Sequence, residues 1–139
     1  MAVTIRIKGL DDLRTALARA GPQAPAALAG ALKSQAETIM TTAKRRTPVG
    51  GGPYSPNDPH PGQLRGSGTV LHPRVSGSSV SVTLGFGGAA KDYALRQHEH
   101  TEYRHHVGRS KYLESAMIDA APTLASALAR RVTRLFPPV

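Results

Sequence analysis

The chain has 139 residues, 40% of them hydrophobic and only 4% aromatic, and it carries a formal net charge of +9. One domain is the expectation at that length, able to bury roughly two-thirds of its unfolded surface in an aliphatic, Ala-rich core. With no cysteine, disulfide frameworks, Cys-ligated zinc and thiol nucleophiles are excluded.

A pI near 10.7 favours nucleic acid or an acidic protein surface as neighbour. The plainer account is that arginine outnumbers lysine, as in proteins from GC-rich genomes. No apolar run approaches the roughly 18 residues of a membrane span, and the N-terminus has no signal-peptide core. A soluble protein made in a cytoplasm, without a membrane partner, is expected.

Val3-Thr4-Ile5-Arg6-Ile7-Lys8 alternates apolar and polar residues and predicts a half-buried strand. Gly9 breaks it. A short helix follows, with Leu10, Leu13, Ala16 and Leu17 on one face. Asp11 and Asp12 fall in its first turn, where the helix dipole favours them. Gly21-Pro22 closes it. The stretch Gln23 to Arg46 then carries Ala24, Leu28, Ala31, Leu32 and Ala36, and beyond them Ile39, Met40 and Ala43, at helical spacing. Pro22 and Pro25 suit its first turn, and Thr47-Pro48 ends it. At ~1.5 Å per residue it is about 35 Å long.

From Thr47 to Gln63, five prolines alternate with glycines, including Gly50-Gly51-Gly52. No regular element survives that density of breakers. A loop of this length is either an insertion or a docking segment. Thr69 to Val75, interrupted by Pro73, predicts an edge strand. Val80, Val82, Leu84 and Phe86 alternate with Ser79, Ser81, Thr83 and Gly85 and complete a hairpin. Lys91 to His98 suits a short helix with Tyr93, Ala94 and Gln97 on one side. Glu99 to Gly108 is a His-rich loop. Ser110 can cap a last helix whose stripe is Leu113, Met117, Ala121, Leu124, Leu128, Val132 and Leu135, with a kink or break at Pro122.

Strands and helices are largely segregated in this order, so the class is α+β. A small antiparallel sheet, made of the N-terminal strand plus the central hairpin, is expected to pack against the long helix and a long C-terminal helix. The Pro/Gly-rich loop 47–63 is an insertion.

Candidate chemistry is thin. His98, His100, His105 and His106 crowd one loop beside Glu99 and Glu102. These residue types ligate zinc or nickel, but no recurrent metal spacing joins them, and a solvated cluster is the plainer reading. There is no Gly-x-Ser-x-Gly elbow, and no Gly-Lys-Ser/Thr follows the glycine run to make a phosphate loop. No catalytic, cofactor-binding or metal-ligating residue is therefore assigned; the protein is expected not to be an enzyme, with a His/Glu metal hydrolase as the outside rival. Basic clusters remain. Lys44-Arg45-Arg46 ends one helix and Arg130-Arg131 with Arg134 ends another, which complements their negative poles and equally suits DNA phosphates. No aromatic residues interleave them, so single-strand stacking is not expected.

Five stretches in order resemble a family of tailed-phage neck proteins, called minor tail, tail-component or tail-completion proteins. They are the helix start Gly9-Leu10-Asp11-Asp12-Leu13, the basic Pro-Val segment Ala43 to Val49, and Gly62-Gln63-Leu64-Arg65-Gly66-Ser67. The fourth is Tyr93-Ala94 through Glu99-His100-Thr101, with His100 where the family has Gly. The last is the helix entry Arg109-Ser110-Lys111-Tyr112-Leu113-Glu114-Ser115-Ala116.

The resemblance implies a structural virion protein at the head–tail junction, made in the host cytoplasm, without a catalytic site. It implies a homo-oligomeric ring, commonly six-fold, joined to adaptor or connector and tail-terminator neighbours, with genomic DNA along its axis. Charge contacts to DNA or partner are then expected from Lys44, Arg45, Arg46, Arg65 and Arg109. Inter-subunit contacts are expected from Tyr54 in the long loop and from His98, Glu99, His100, His105 and His106. Charge alone leaves a small basic DNA-binding protein, of nucleoid or regulatory type, as the alternative.

Overall fold

The computed structural model describes residues 9–49, 62–77, 79–87 and 111–138. Four helices and four short strands occupy them: α1 (Leu10–Ala20), α2 (Ala24–Arg46), α3 (Gln63–Gly66), β1 (Thr69–Val70), β2 (Arg74–Ser76), β3 (Ser79–Ser81), β4 (Leu84–Gly85) and α4 (Tyr112–Leu135). The class is α+β, mostly helical, with two small antiparallel sheets. The expected strand over 3–8 and the helix over 91–98 with its Tyr93 lie outside the described residues. The chain forms two compact units. One is drawn from Met1–Thr38, Leu71–Thr83 and Ile118–Val139, the other from Ile39–Val70 and Leu84–Met117.

The first unit has a core of small residues. Ala16 and Ala20 of α1 meet Ala27 and Ala31 of α2 and Leu128 and Val132 of α4. Alanine at these contacts lets helix axes approach closely. Leu13, Leu17, Leu28, Leu32, Leu124 and Phe136 pack around them and supply most of the apolar area. Leu10, expected on the same face, is exposed, being the first helical residue, ahead of the contact.

Gly9 explains how α1 begins. Its φ is 86°, a left-handed conformation that side-chain-bearing residues rarely adopt, and its carbonyl accepts the Leu13 N–H at 3.1 Å. A Cβ here would also stand 3.1 Å from the backbone nitrogen of Ser126 in α4. Gly21, at φ 58°, ends the helix by donating back to the carbonyls of Leu17 and Ala18. A 3₁₀ turn over Gly21–Gln23 holds Pro22 and leads into α2.

β2 and β3 pair within this unit as Arg74↔Ser81, Val75↔Val80 and Ser76↔Ser79, closed by a turn at Gly77. Each expected hairpin strand is in fact two shorter strands. Three residues, Leu71 to Pro73, separate β1 from β2, but only Val82 and Thr83 separate β3 from β4. Pro73 has no N–H to give to a ladder, and the extra residue shifts the register by one. Leu71 and Val75 are consequently exposed rather than packed.

The second unit packs Met40 and Ala43 of α2 and Ala116 of α4 with Ile39, Val70, Leu84, Phe86 and Leu113. Thus Leu84 and Phe86 do meet the stripe of α2, as their alternation predicts. Leu64 of α3 and Tyr112 form a second cluster with Phe86 and Leu113. The Phe86 and Tyr112 rings meet edge to face at 4.9 Å and 82°. Pairing of β1 with β4 runs Thr69↔Gly85 and Val70↔Leu84.

α4 departs from its expected stripe at two places. Met117 and Leu135 are exposed, while Tyr112 and Ala116 are buried. The buried positions of the first turn lie one residue before Leu113 and Met117, an offset of about 100° around the helix. The helix is continuous through Pro122, which lies on an exposed position. Water can serve the Ile118 carbonyl there, so the missing N–H does not end the helix.

Two glycines should respond in opposite directions. Gly9→Ala is expected to lower stability by about 1–3 kcal/mol, from the left-handed backbone alone. Gly30 lies in the middle of α2, and a Cβ added to it would meet open space. Gly30→Ala should therefore raise stability by roughly 0.5–1 kcal/mol. Urea unfolding followed by circular dichroism reads both.

Candidate functional site

The Lys44-Arg45-Arg46 cluster sits where α2 stops, and the stop is dictated by Pro48. A helix leaves its last four carbonyls without intrahelical donors, and Pro48 has no N–H to offer. Thr47 meets two of these needs. Its hydroxyl donates to the Ala43 carbonyl at 2.9 Å, and its N–H donates to the Lys44 carbonyl at 3.2 Å. Thr47 is fully buried, so its hydroxyl requires such a partner.

Arg65 completes the cap from a distance in sequence. Its Nη2 donates to the Thr47 carbonyl at 3.1 Å and, at 3.5 Å, to that of Arg45. Its charge also opposes the negative pole of α2. α3 holds it there. Leu64 beside it is buried against Tyr112, and Ser67 donates to the Leu64 carbonyl at 2.7 Å while accepting the Gly87 N–H at 3.2 Å. Arg65 Nε is buried without a hydrogen-bond partner among the described residues.

Arg46 is engaged as well. Its Nη1 donates to the Ser115 hydroxyl at 3.0 Å, and Ser115 in turn donates to the Tyr112 carbonyl at 3.3 Å. Arg45 is different. It is exposed, and its contact to Thr42 on its own helix is long, at 3.5 Å. Lys44 is half-buried, and its stem lies near Gly68.

Four of the five basic residues expected to make charge contacts are therefore brought into one region of the second unit. Of these, Arg46 and Arg65 have internal hydrogen bonds, and Arg45 faces outward. Arg109, Tyr54, His98, Glu99, His100, His105 and His106 lie outside the described residues. Thr47 and Ser115 are the residues that sequence reasoning passed over. Thr47 carried a usable signal, since a Thr in the last helical turn can bond the carbonyl four residues back. Ser115 carried none.

Among the described residues no group of three His, Asp or Glu side chains is placed to hold a metal ion. Nor, among them, is any helix long and apolar enough to cross a membrane. Comparison with family models, curated proteins and solved structures finds no match.

The division among the arginines is measurable. Arg65→Met keeps the stem but strips the cap, leaving the Thr47 carbonyl unpaired, and should cost about 1–3 kcal/mol. Arg45→Gln should stay within about 0.5 kcal/mol of wild type. Thermal or urea unfolding of the two variants provides the check.

Proposed function

We propose that this chain is a structural protein of a long-tailed phage, part of the neck that joins the DNA-filled head to the tail or completes the tail. One observation carries the reading. Three stretches of the phage-like motif set, 43–49, 62–67 and 109–116, are far apart in sequence yet interlock through their described residues. Arg65 bonds Thr47, Arg46 bonds Ser115, and Leu64 packs on Tyr112.

On this reading the protein acts by assembly and performs no reaction. Copies form a ring around the DNA channel, and each copy needs two different surfaces to meet its neighbours. Exposed apolar side chains such as Leu71, Val75, Met117 and Leu135 suit such contacts. The outward Arg45 suits an anionic neighbour, either DNA or the adaptor and terminator proteins above and below. The protein is then a component of the virion at the head–tail junction.

Image reconstruction of purified virions, with peptide mass spectrometry to detect the chain, tests the reading. Ring density for this protein at the head–tail junction is the expected result, and its symmetry gives the stoichiometry. Intact, infectious particles that lack the protein would overturn the assignment. Within that framework, Arg45→Glu should leave the free protein folded and reduce head–tail joining, read as separate filled heads and tails in micrographs of lysates.

A further inference from the structure

The first unit has a groove of about 620 Å³ between α1 and α4. α1 lines it with Asp12, Thr15 and Arg19, spaced i, i+3 and i+7. α4 lines it with Ser126, Ala129, Arg130, Thr133 and Arg134, spaced i, i+3, i+4, i+7 and i+8. Each set is one stripe of a helix. The stripes lie beside the apolar ones that pack Ala16 and Ala20 on Leu128 and Val132, so the core that joins the helices also fixes the groove. Gly9 against Ser126 sets the approach of the helices at one end.

Most of the side chains that line the groove are basic or hydroxylic. Three guanidiniums and three hydroxyls, that of Thr15 already donating to the Asp11 carbonyl at 3.0 Å, stand against a single carboxylate, and the only apolar lining residue is Ala129. Arg19, Arg130 and Arg134 are exposed and have no hydrogen bond or ion pair among the described residues. Helix-end electrostatics accounts for Arg19 and Arg134, each in the last turn of its helix. It does not account for Arg130, a full turn earlier.

We infer that this groove binds the phosphodiester backbone of duplex DNA. Guanidinium forks and hydroxyls are the side chains that contact phosphate oxygens. The lining has no large apolar side chain to anchor a partner helix and no aromatic ring on which unpaired bases would stack. Arg130 and Arg134, a helical turn apart on α4, suit a repeating anion, and Arg19 of α1 lines the same groove. The contacts are to backbone, so binding is independent of base sequence and falls steeply with salt. The inference stands on the groove and does not need the neck reading. Duplex binding is read in solution and ring position in the virion, so either can fail alone.

The test is a fluorescence-anisotropy titration of a labelled duplex of mixed sequence by the full chain, over a series of salt concentrations. Wild type should bind in the roughly micromolar range at low salt. Arg130→Gln should reduce the slope of log K against log salt by about one, and the triple Arg19→Gln, Arg130→Gln, Arg134→Gln by about three, with at least a roughly tenfold loss of affinity. A control triple, Arg14→Gln, Arg74→Gln and Arg131→Gln, removes the same charge from exposed positions outside the groove and should change the slope much less. Circular dichroism verifies that each variant is folded. Equal losses in both triples would reduce the effect to net charge and overturn the site, as would undiminished binding by the groove triple. Binding to anionic vesicles but not to duplex, at matched salt, would assign the groove to a lipid surface instead and overturn the inference.

Discussion

The structure of the second unit depends on how α2 is stopped. Pro48 removes the N–H that would have served the Lys44 carbonyl, and the chain must supply donors from elsewhere. Thr47 supplies two, one from its hydroxyl and one from its backbone. Arg65 supplies the third from 18 residues away. Each bond is worth only about 0.5–1.5 kcal/mol net. Their structural consequence is larger than that figure, because a guanidinium can reach these carbonyls only if α3 is held in one place. Leu64 against Tyr112 and Ser67 against Gly87 do the holding. Tyr112 is in turn the first residue of α4, whose Ser115 receives Arg46. A single helix end thereby fixes the positions of three separate segments.

The first unit is held differently. Its buried residues are mostly alanines, and the volume comes from leucines at the margin of the contact. Small residues give close helix approach and little tolerance for added atoms. Gly9 shows the limit of that approach, since even a methyl group would meet α4. Gly68 plays the same part in the second unit. A Cβ there would come within 2.7 Å of the Met40 sulfur and 2.8 Å of the Phe86 ring. With only four tyrosines and two phenylalanines in the whole chain, close approach replaces the area that aromatic residues usually bury.

The long elements were legible because two signals agreed in each. α1 and α2 show helical periodicity and are bounded by Gly9, Gly21-Pro22 and Thr47-Pro48, and the structure places their ends within a residue of those marks. α3 was not legible. Four residues with one apolar side chain have no period, and the glycines and prolines around them read as loop. The hairpin was legible as a pair of segments but not as four strands, because one proline decides the register and alternation does not report it. Leu10, Met117 and Leu135 show the remaining limit. Periodicity names a stripe, and whether a partner extends along all of it is a tertiary fact. The candidate site was legible in the same partial way. A basic cluster at the end of α2 follows from composition, but which arginines turn inward depends on α3 and on Ser115, neither of which has a local signature.

That division changes what the net charge means. A value of +9 counts every arginine alike, yet they are not alike in what they can offer a partner. Arg65 is committed to carbonyls at the end of α2, and Arg46 donates to Ser115. Releasing either to meet an external anion would break a part-buried internal hydrogen bond, worth about 0.5–1.5 kcal/mol net. That cost would offset much of what one phosphate contact gains. Arg19, Arg130 and Arg134 have no such commitment among the described residues and already share one concave surface. An anionic partner can therefore engage them without disturbing the fold. The basic run most conspicuous in the sequence, Lys44-Arg45-Arg46, is in part a device for ending a helix. The less conspicuous arginines, separated by more than 100 residues of chain between α1 and α4, share one concave surface and, like the outward Arg45, keep their charge to offer.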